Sequence, residues 1–199
     1  MLTNNLLPYY GEDYLNIMYT MTNDALPKRE ASFNTYLKLI EEVAKNIEEE
    51  DERLKFRGDT LEIFAEIFFN AFENDPSVGL SDYELVDIEN DYGVDGLGTN
   101  PDGRRIAVQV KYRSNPFNPV LYSEIANTFT SGMITYGLDL LHKQSVYVFT
   151  TAVDCTAACQ KVLGNRLVMI NRDIINEKIE NNESFWNFAF KEVFEYLNQ

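Results

Sequence analysis

Three side chains between Tyr92 and Arg113 have types and spacing that suit phosphodiester chemistry: Asp95, Gln109 and Lys111. Asn100-Pro101-Asp102-Gly103 divides this stretch with strong turn chemistry, because proline pre-sets φ and glycine accepts a positive one. Arg105 to Lys111 is short, rich in β-branched residues and bounded by turns, so it reads as a strand. Alternation along that strand puts Ile106, Val108 and Val110 on one face and Ala107, Gln109 and Lys111 on the other. The first face is expected to enter a core, and the second to present an amide beside an ammonium. Asp95 falls on the preceding strand among Gly93, Gly96 and Gly98, which permit close approach of a ligand or another backbone. A carboxylate and an amide oxygen are hard ligands of the kind Mg²⁺ prefers. A neighbouring lysine can orient or deprotonate a water, or offset charge in a transition state. The competing reading is an ordinary surface hairpin whose polar face is merely solvated.

The elements that must hold these residues can be read from periodicity. A short helix is expected from about residue 11 to 21. Ser32 is placed to cap a helix running to about Leu54, with Phe33, Tyr36, Leu37, Ile40, Val43, Ala44 and Ile47 at helical spacing. The run Glu48 to Glu52 reads as its solvated end. From about Asp59 to Phe72 the chain is apolar nearly all round, which indicates a buried helix. Glu62 and Glu66 stand on it at i, i+4. A carboxylate on such a helix requires a cation, a metal or water. A polar cleft meets that need, and so do salt bridges to Arg57 or Arg104.

The first strand is expected within 82–90, around Tyr83 to Ile88. Residues 114–119 form a loop able to touch substrate. A helix is expected from about Tyr122 to Tyr136, with Ile125, Phe129, Met133 and Ile134 turned to the core. A buried strand over 145–151, a helix capped by Thr156, a strand over 166–170 and two closing helices complete the chain. Strands alternating with helices imply an α/β layout with a mixed sheet.

Gly-Val-Asp-Gly, a turn, then Val-Gln-Val-Lys-Tyr-Arg resembles the PD-(D/E)xK nuclease superfamily, in its Mrr-like restriction endonuclease branch with Gln-x-Lys. Gly58-Asp59-Thr60-Leu61-Glu62 resembles the upstream Gly-x-x-Phe-Glu element of that branch, with Leu61 in place of Phe. The resemblance implies a restriction-endonuclease-like core over 56–199, leaving 1–55 as an N-terminal helical extension. It implies a Mg²⁺- or Mn²⁺-dependent endonuclease acting on DNA. The catalytic residues would be Glu62, Asp95, Gln109 and Lys111, with Glu66 as a reserve acid. The metal would be held by Asp95, Gln109 and the Val110 carbonyl, with Glu62 binding a water of that ion or helping to hold a second one. Arg104, Arg105, Tyr112 and Arg113 would contact phosphates, which positions a nucleic acid without reading its sequence.

Charge bears on that expectation. Seventeen basic against thirty-two acidic residues give a net charge of −15, which repels DNA at long range. Gly103 to Ser123 contains no acidic residue and carries Arg104, Arg105, Lys111 and Arg113. The acids concentrate between Glu41 and Glu52 and between Glu73 and Asp91. A protein partner or a fused motor domain is therefore expected to supply DNA affinity; the chain has no phosphate-binding Gly-x-x-x-x-Gly-Lys-Ser/Thr loop of its own. Two other classes compete: a catalytically weak nuclease-fold module that docks a protein, and an acidic DNA mimic. Only Cys155 and Cys159 are cysteines, with a single histidine, His142, so buried free thiols are expected rather than a zinc site. No apolar run reaches spanning length and the first residues lack signal-peptide features, so a cytoplasmic protein is expected.

Overall fold

The computed structural model describes residues 7–22, 26, 30–73, 75–86, 92–126, 128–139 and 141–198, excluding the side chains of 7–9, 11 and 128–131. The chain divides into two compact units, 1–67 with 173–199, and 68–172. The division expected at 55/56 falls inside a helix.

The first unit is helical. It contains α1 (Leu7–Thr20), α2 (Phe33–Ala44), most of α3 (Glu50–Ala71), α7 (Arg172–Ile179) and α8 (Glu183–Leu197). Ser32 caps α2 as expected, its hydroxyl accepting the Thr35 N–H at 3.2 Å. The single helix expected from Ser32 to Leu54 is instead broken after Ala44. Glu50, Asp51 and Glu52 begin α3 rather than ending α2. The helix dipole accounts for this, because carboxylates are favourable at a positive N-terminus and unfavourable at a C-terminus. Around Tyr36 the rings of Phe64 and Phe33 stack at 4.5 and 6.0 Å, and Trp186 lies at 6.4 Å. The N-terminal helices therefore share one aromatic core with the C-terminal ones. The Tyr36 hydroxyl donates to the Thr60 carbonyl at 3.0 Å, satisfying a polar tip inside that core.

The second unit holds a five-stranded mixed sheet in the order β1 (Ser81–Leu85), β2 (Gly96–Thr99), β3 (Arg105–Lys111), β4 (Val146–Thr150), β5 (Leu167–Ile170). β1–β2 and β2–β3 are antiparallel, while β3–β4 and β4–β5 are parallel. β1 ends at Leu85, and Asp87 and Ile88 lie outside the described residues. One face packs on α4 (Tyr122–Ala126), α5 (Thr128–Thr135) and α6 (Ala157–Leu163) through Ala107, Val146, Val148, Ile125, Met133 and Cys159. The other meets the last turn of α3, with Phe68 and Phe69 at 5.3 and 5.5 Å from the Phe149 ring. The expected α/β fold with a mixed sheet flanked by helices is present. The helix expected over 122–136 is described as two segments, α4 and α5. Met133 is buried as expected, but Ile134 is 67% exposed. Neighbouring helical positions point about 100° apart, so both cannot face the sheet. The Phe129 side chain lies outside the described residues. Thr156 caps α6 as expected, and Cys155 and Cys159 are buried free thiols.

Candidate active site

β3 occupies the expected residues, Arg105–Lys111, and the competing reading of a hairpin with a solvated polar face fails. Residues 106–110 are all buried. Its parallel partner β4 pairs Gln109 with Val148, and α4–α6 cover that side. Strands in parallel pairs are commonly covered on both faces. Gln109 is thus 1% exposed, and among the described residues its Oε1 has no hydrogen-bond partner. An amide oxygen in that state costs roughly 1–3 kcal/mol, so its presence calls for a ligand or a water.

Asp95 sits just before β2. Its N–H donates to the Val108 carbonyl at 3.1 Å, although Val108 is already the register partner of Gly96. Two residues facing one constitute a bulge, which re-aims the side chain. The redirected carboxylate accepts the Val110 N–H through Oδ2 at 2.6 Å. The Asp95 carbonyl accepts the Val86 N–H at 3.1 Å, so the residue is held from both neighbouring strands. Gly96 permits this arrangement: a Cβ there would stand 2.3 Å from the Tyr83 hydroxyl oxygen.

Lys111 closes β3 and is half-buried. Its carbonyl accepts the Thr150 hydroxyl at 2.7 Å and the Thr151 N–H at 3.3 Å. Arg113 N–H donates to Thr151 Oγ1 at 2.5 Å, and that hydroxyl donates back to the Arg113 carbonyl at 3.0 Å. Two fully buried threonines thus fix the end of β3. The Asp95 carboxylate thus meets Val110, whose neighbours on β3 are Gln109 and Lys111. Glu62, half-buried, and Glu66, fully buried, belong to α3 in the first unit. Arg57 in that unit makes a two-pronged pair with Glu41 at 3.0 and 2.8 Å.

The basic window of the sequence is largely neutralised by the fold. Arg105 meets Glu84 at 2.5 Å, Arg113 meets both Glu124 oxygens at 2.6 and 2.5 Å, and Arg104 lies 3.9 Å from Asp139. Each of these carboxylates comes from outside residues 103–123. Tyr112 is half-buried beside them. The loop after Arg113 is well built: Asn115 Oδ1 accepts the Phe117 N–H at 3.1 Å, and the Pro116 carbonyl accepts the Val153 N–H at 2.9 Å. It presents Phe117, 77% exposed, an aromatic whose exposure no feature of the sequence signals.

A divalent cation fits this donor set on one observation, the buried amide oxygen of Gln109 without a partner among the described residues. Among the described residues no group of three or more His, Cys, Asp or Glu side chains could hold a metal. A site here would therefore combine one carboxylate with neutral oxygens.

No family profile matches the chain, and no curated protein matches it. Among solved structures, a repair endonuclease from Pyrococcus abyssi is similar over 53% of this chain, at 18% identity and a TM-score of 0.32. The match spans 45% of that structure's chain, less than half its length. Among the described residues no helix is long and apolar enough to cross a membrane.

Proposed function

We propose that the chain is a divalent-metal-dependent endodeoxyribonuclease of restriction-endonuclease-like fold. The observation that carries this reading is the buried Gln109 amide oxygen, without a hydrogen-bond partner among the described residues, placed on the same short segment as Lys111 and beside a bulge that re-aims Asp95. The resemblance of Asp95, Gln109 and Lys111 to the Asp…Gln-x-Lys pattern adds the substrate class, DNA.

Asp95, the Gln109 side chain and the Val110 carbonyl are the residues that would hold Mg²⁺ or Mn²⁺. When bound, the ion supplies Lewis-acid polarisation of the phosphoryl oxygen and acidifies a water. The Val110 N–H orients the Asp95 carboxylate. Lys111, fixed at the end of β3, positions the attacking water and offsets negative charge as it develops. The resemblance assigns Glu62 as a further acid that orients water, with Glu66 in reserve. With Gln in place of an acid the ligand set carries one fewer negative charge, so the ion binds weakly and mainly with DNA present.

Arg104, Arg105, Tyr112 and Arg113 are the phosphate contacts in this reading, and the three arginines must exchange their carboxylate partners for phosphates. That exchange, with the net charge of −15, makes unaided DNA binding weak. A protein partner or a motor domain would supply the affinity. The same pairing favours a second reading, a nuclease-fold module that docks a protein and cleaves little.

Incubation with supercoiled plasmid and with single-stranded DNA, in Mg²⁺ or Mn²⁺, separates the two. Metal-dependent cleavage that disappears in Asp95→Ala and Lys111→Ala supports the enzyme. Absence of cleavage, or cleavage unchanged in those variants, removes it and leaves the docking module.

A further inference from the structure

A cavity of about 380 Å³ opens at the other end of β3 from Lys111. Its walls come from the β2–β3 turn (Asn100, Arg104, Arg105), the segment just past the end of α5 (Tyr136, Leu138, Asp139, His142), and Ser145 immediately before β4. Along β3, Arg105 stands four residues from Gln109 and six from Lys111, so the cavity lies roughly 13–20 Å from the residues of the candidate active site. It is a different place from the Asp95–Gln109 site, although Arg104 and Arg105 also serve as phosphate contacts in the proposed DNA path.

The floor is rigid. Asn100 is 3% exposed, and its Oδ1 accepts the N–H groups of Asp102 and Arg104 at 3.1 and 3.0 Å. Its Nδ2 donates to the Gln144 carbonyl at 3.3 Å, tying the hairpin turn to the segment that carries Ser145. Ser145 is 2% exposed, and among the described residues its Oγ has no hydrogen-bond partner although it lines the cavity. A buried hydroxyl in that state calls for a polar ligand atom or a water. Arg104, Arg105 and His142 place cationic or hydrogen-bond-donating groups on one side. Ile106, Tyr136 and Leu138 make the other side apolar and partly aromatic.

Asp139 now occupies the polar side. It lies 2.6 Å from His142 Nε2 and 3.9 Å from Arg104, while Glu84 engages Arg105. These contacts leave His142, Arg104 and Arg105 solvent-accessible at 42%, 47% and 58%. They can turn to a ligand carrying more charge than one carboxylate. The volume lies in the range of small-molecule sites, and the split between a cationic and an apolar wall suits a charged group attached to a planar ring.

We propose that this cavity binds a nucleotide phosphate, with the phosphate on Arg104, His142 and Ser145 Oγ and the base against Tyr136 and Leu138. The ligand is either a free mononucleotide or the phosphorylated end of a DNA strand, which share this chemistry. The assignment does not depend on hydrolysis at Asp95.

Isothermal titration of the full chain with dAMP, and with a short oligonucleotide bearing a 5′-phosphate or a 5′-hydroxyl, tests it. Saturable dAMP binding is expected, weakened about tenfold in Arg104→Ala and about threefold or more in Ser145→Ala. The small, conservative Ser145→Ala change guards against loss of fold, and thermal unfolding of each variant checks it. Tighter binding of the 5′-phosphorylated than of the 5′-hydroxyl oligonucleotide identifies a strand end as the ligand; binding of dAMP without that preference identifies a free nucleotide. Asp95→Ala is expected to bind dAMP unchanged. The proposal is overturned if no probe binds, if Arg104→Ala and Ser145→Ala bind as the parent does, or if Asp95→Ala abolishes binding. The last result would put the nucleotide at the hydrolytic site and leave the nuclease reading standing.

Discussion

The Asp95 carboxylate accepts the Val110 N–H at 2.6 Å, so one side chain both completes a strand pairing and lies next to the residues of the candidate site. The two roles separate by substitution. Asn keeps an oxygen that can accept from Val110 and removes the charge, whereas Ala removes both. Asp95→Asn is expected to fold with nearly parental stability and to lose cleavage at least about a hundredfold, the scale of a lost electrostatic contribution. Asp95→Ala is expected to lose the same activity and a further 1–2 kcal/mol or so of stability, because a strand N–H loses its acceptor. Urea unfolding alongside plasmid cleavage reads both.

Gln109 presents the opposite case. Its Oε1 is buried without a partner among the described residues, so replacing Gln109 with a similarly shaped apolar residue relieves a desolvation cost. Gln109→Met is expected to raise unfolding stability by about 1 kcal/mol while abolishing metal-dependent cleavage. A variant that becomes more stable and inactive is the signature of a residue kept for chemistry. Gln109→Met that is destabilised would instead place a structural water or contact at that oxygen.

Sequence made much of this region legible, and the reason is local. β3 runs over the expected Arg105–Lys111, and Ser32 and Thr156 cap the helices they were expected to cap, because turn and cap chemistry act within a few residues. Features that depend on partners distant in the chain were not legible. Whether the Gln109 face is open depends on β4 lying parallel to β3 with α4–α6 over it, some forty residues away in sequence. The bulge that turns Asp95 depends on registration against Val108, and no residue near Asp95 announces it. The apparent basic window was an effect of chain order: Glu84, Glu124 and Asp139 lie outside it in sequence and beside it in space.

The Arg113–Glu124 pair holds a cation away from any nucleic acid. Glu124 also accepts the Leu121 N–H at 2.7 Å, a bond that a glutamine oxygen can keep. Glu124→Gln is expected to free Arg113 for phosphate, tightening DNA binding several-fold at low salt. The slope of log affinity against log salt should steepen by about one unit. Fluorescence anisotropy across a salt series measures both; an unchanged slope would mean that Arg113 does not reach the backbone.

Burial pushes the Cys159 thiol up to about 12, and it raises Cys155 as well. The Tyr10 and Tyr147 hydroxyls are each pushed up to about 12, chiefly by burial. In each case the folded state keeps a proton that the unfolded chain releases at lower pH. The stability these groups contribute is whole below about pH 9, where the unfolded thiols begin to ionise, and is lost as pH rises toward 12. Melting temperature is expected to fall steadily from pH 9 to 11. Ellman's reagent is expected to leave both cysteines unmodified at pH 8 until the protein unfolds, since the thiolate is the reactive form.

The central claim is that Asp95 and Gln109 hold a divalent cation at the end of β3. Crystals grown with Mn²⁺ and a cleavage-resistant DNA duplex test it through manganese anomalous scattering. The account predicts a peak about 2.0–2.3 Å from an Asp95 carboxylate oxygen and from Gln109 Oε1, the range for hard-cation contacts of this size. Manganese bound elsewhere, or none at this pair while DNA occupies the protein, would contradict it.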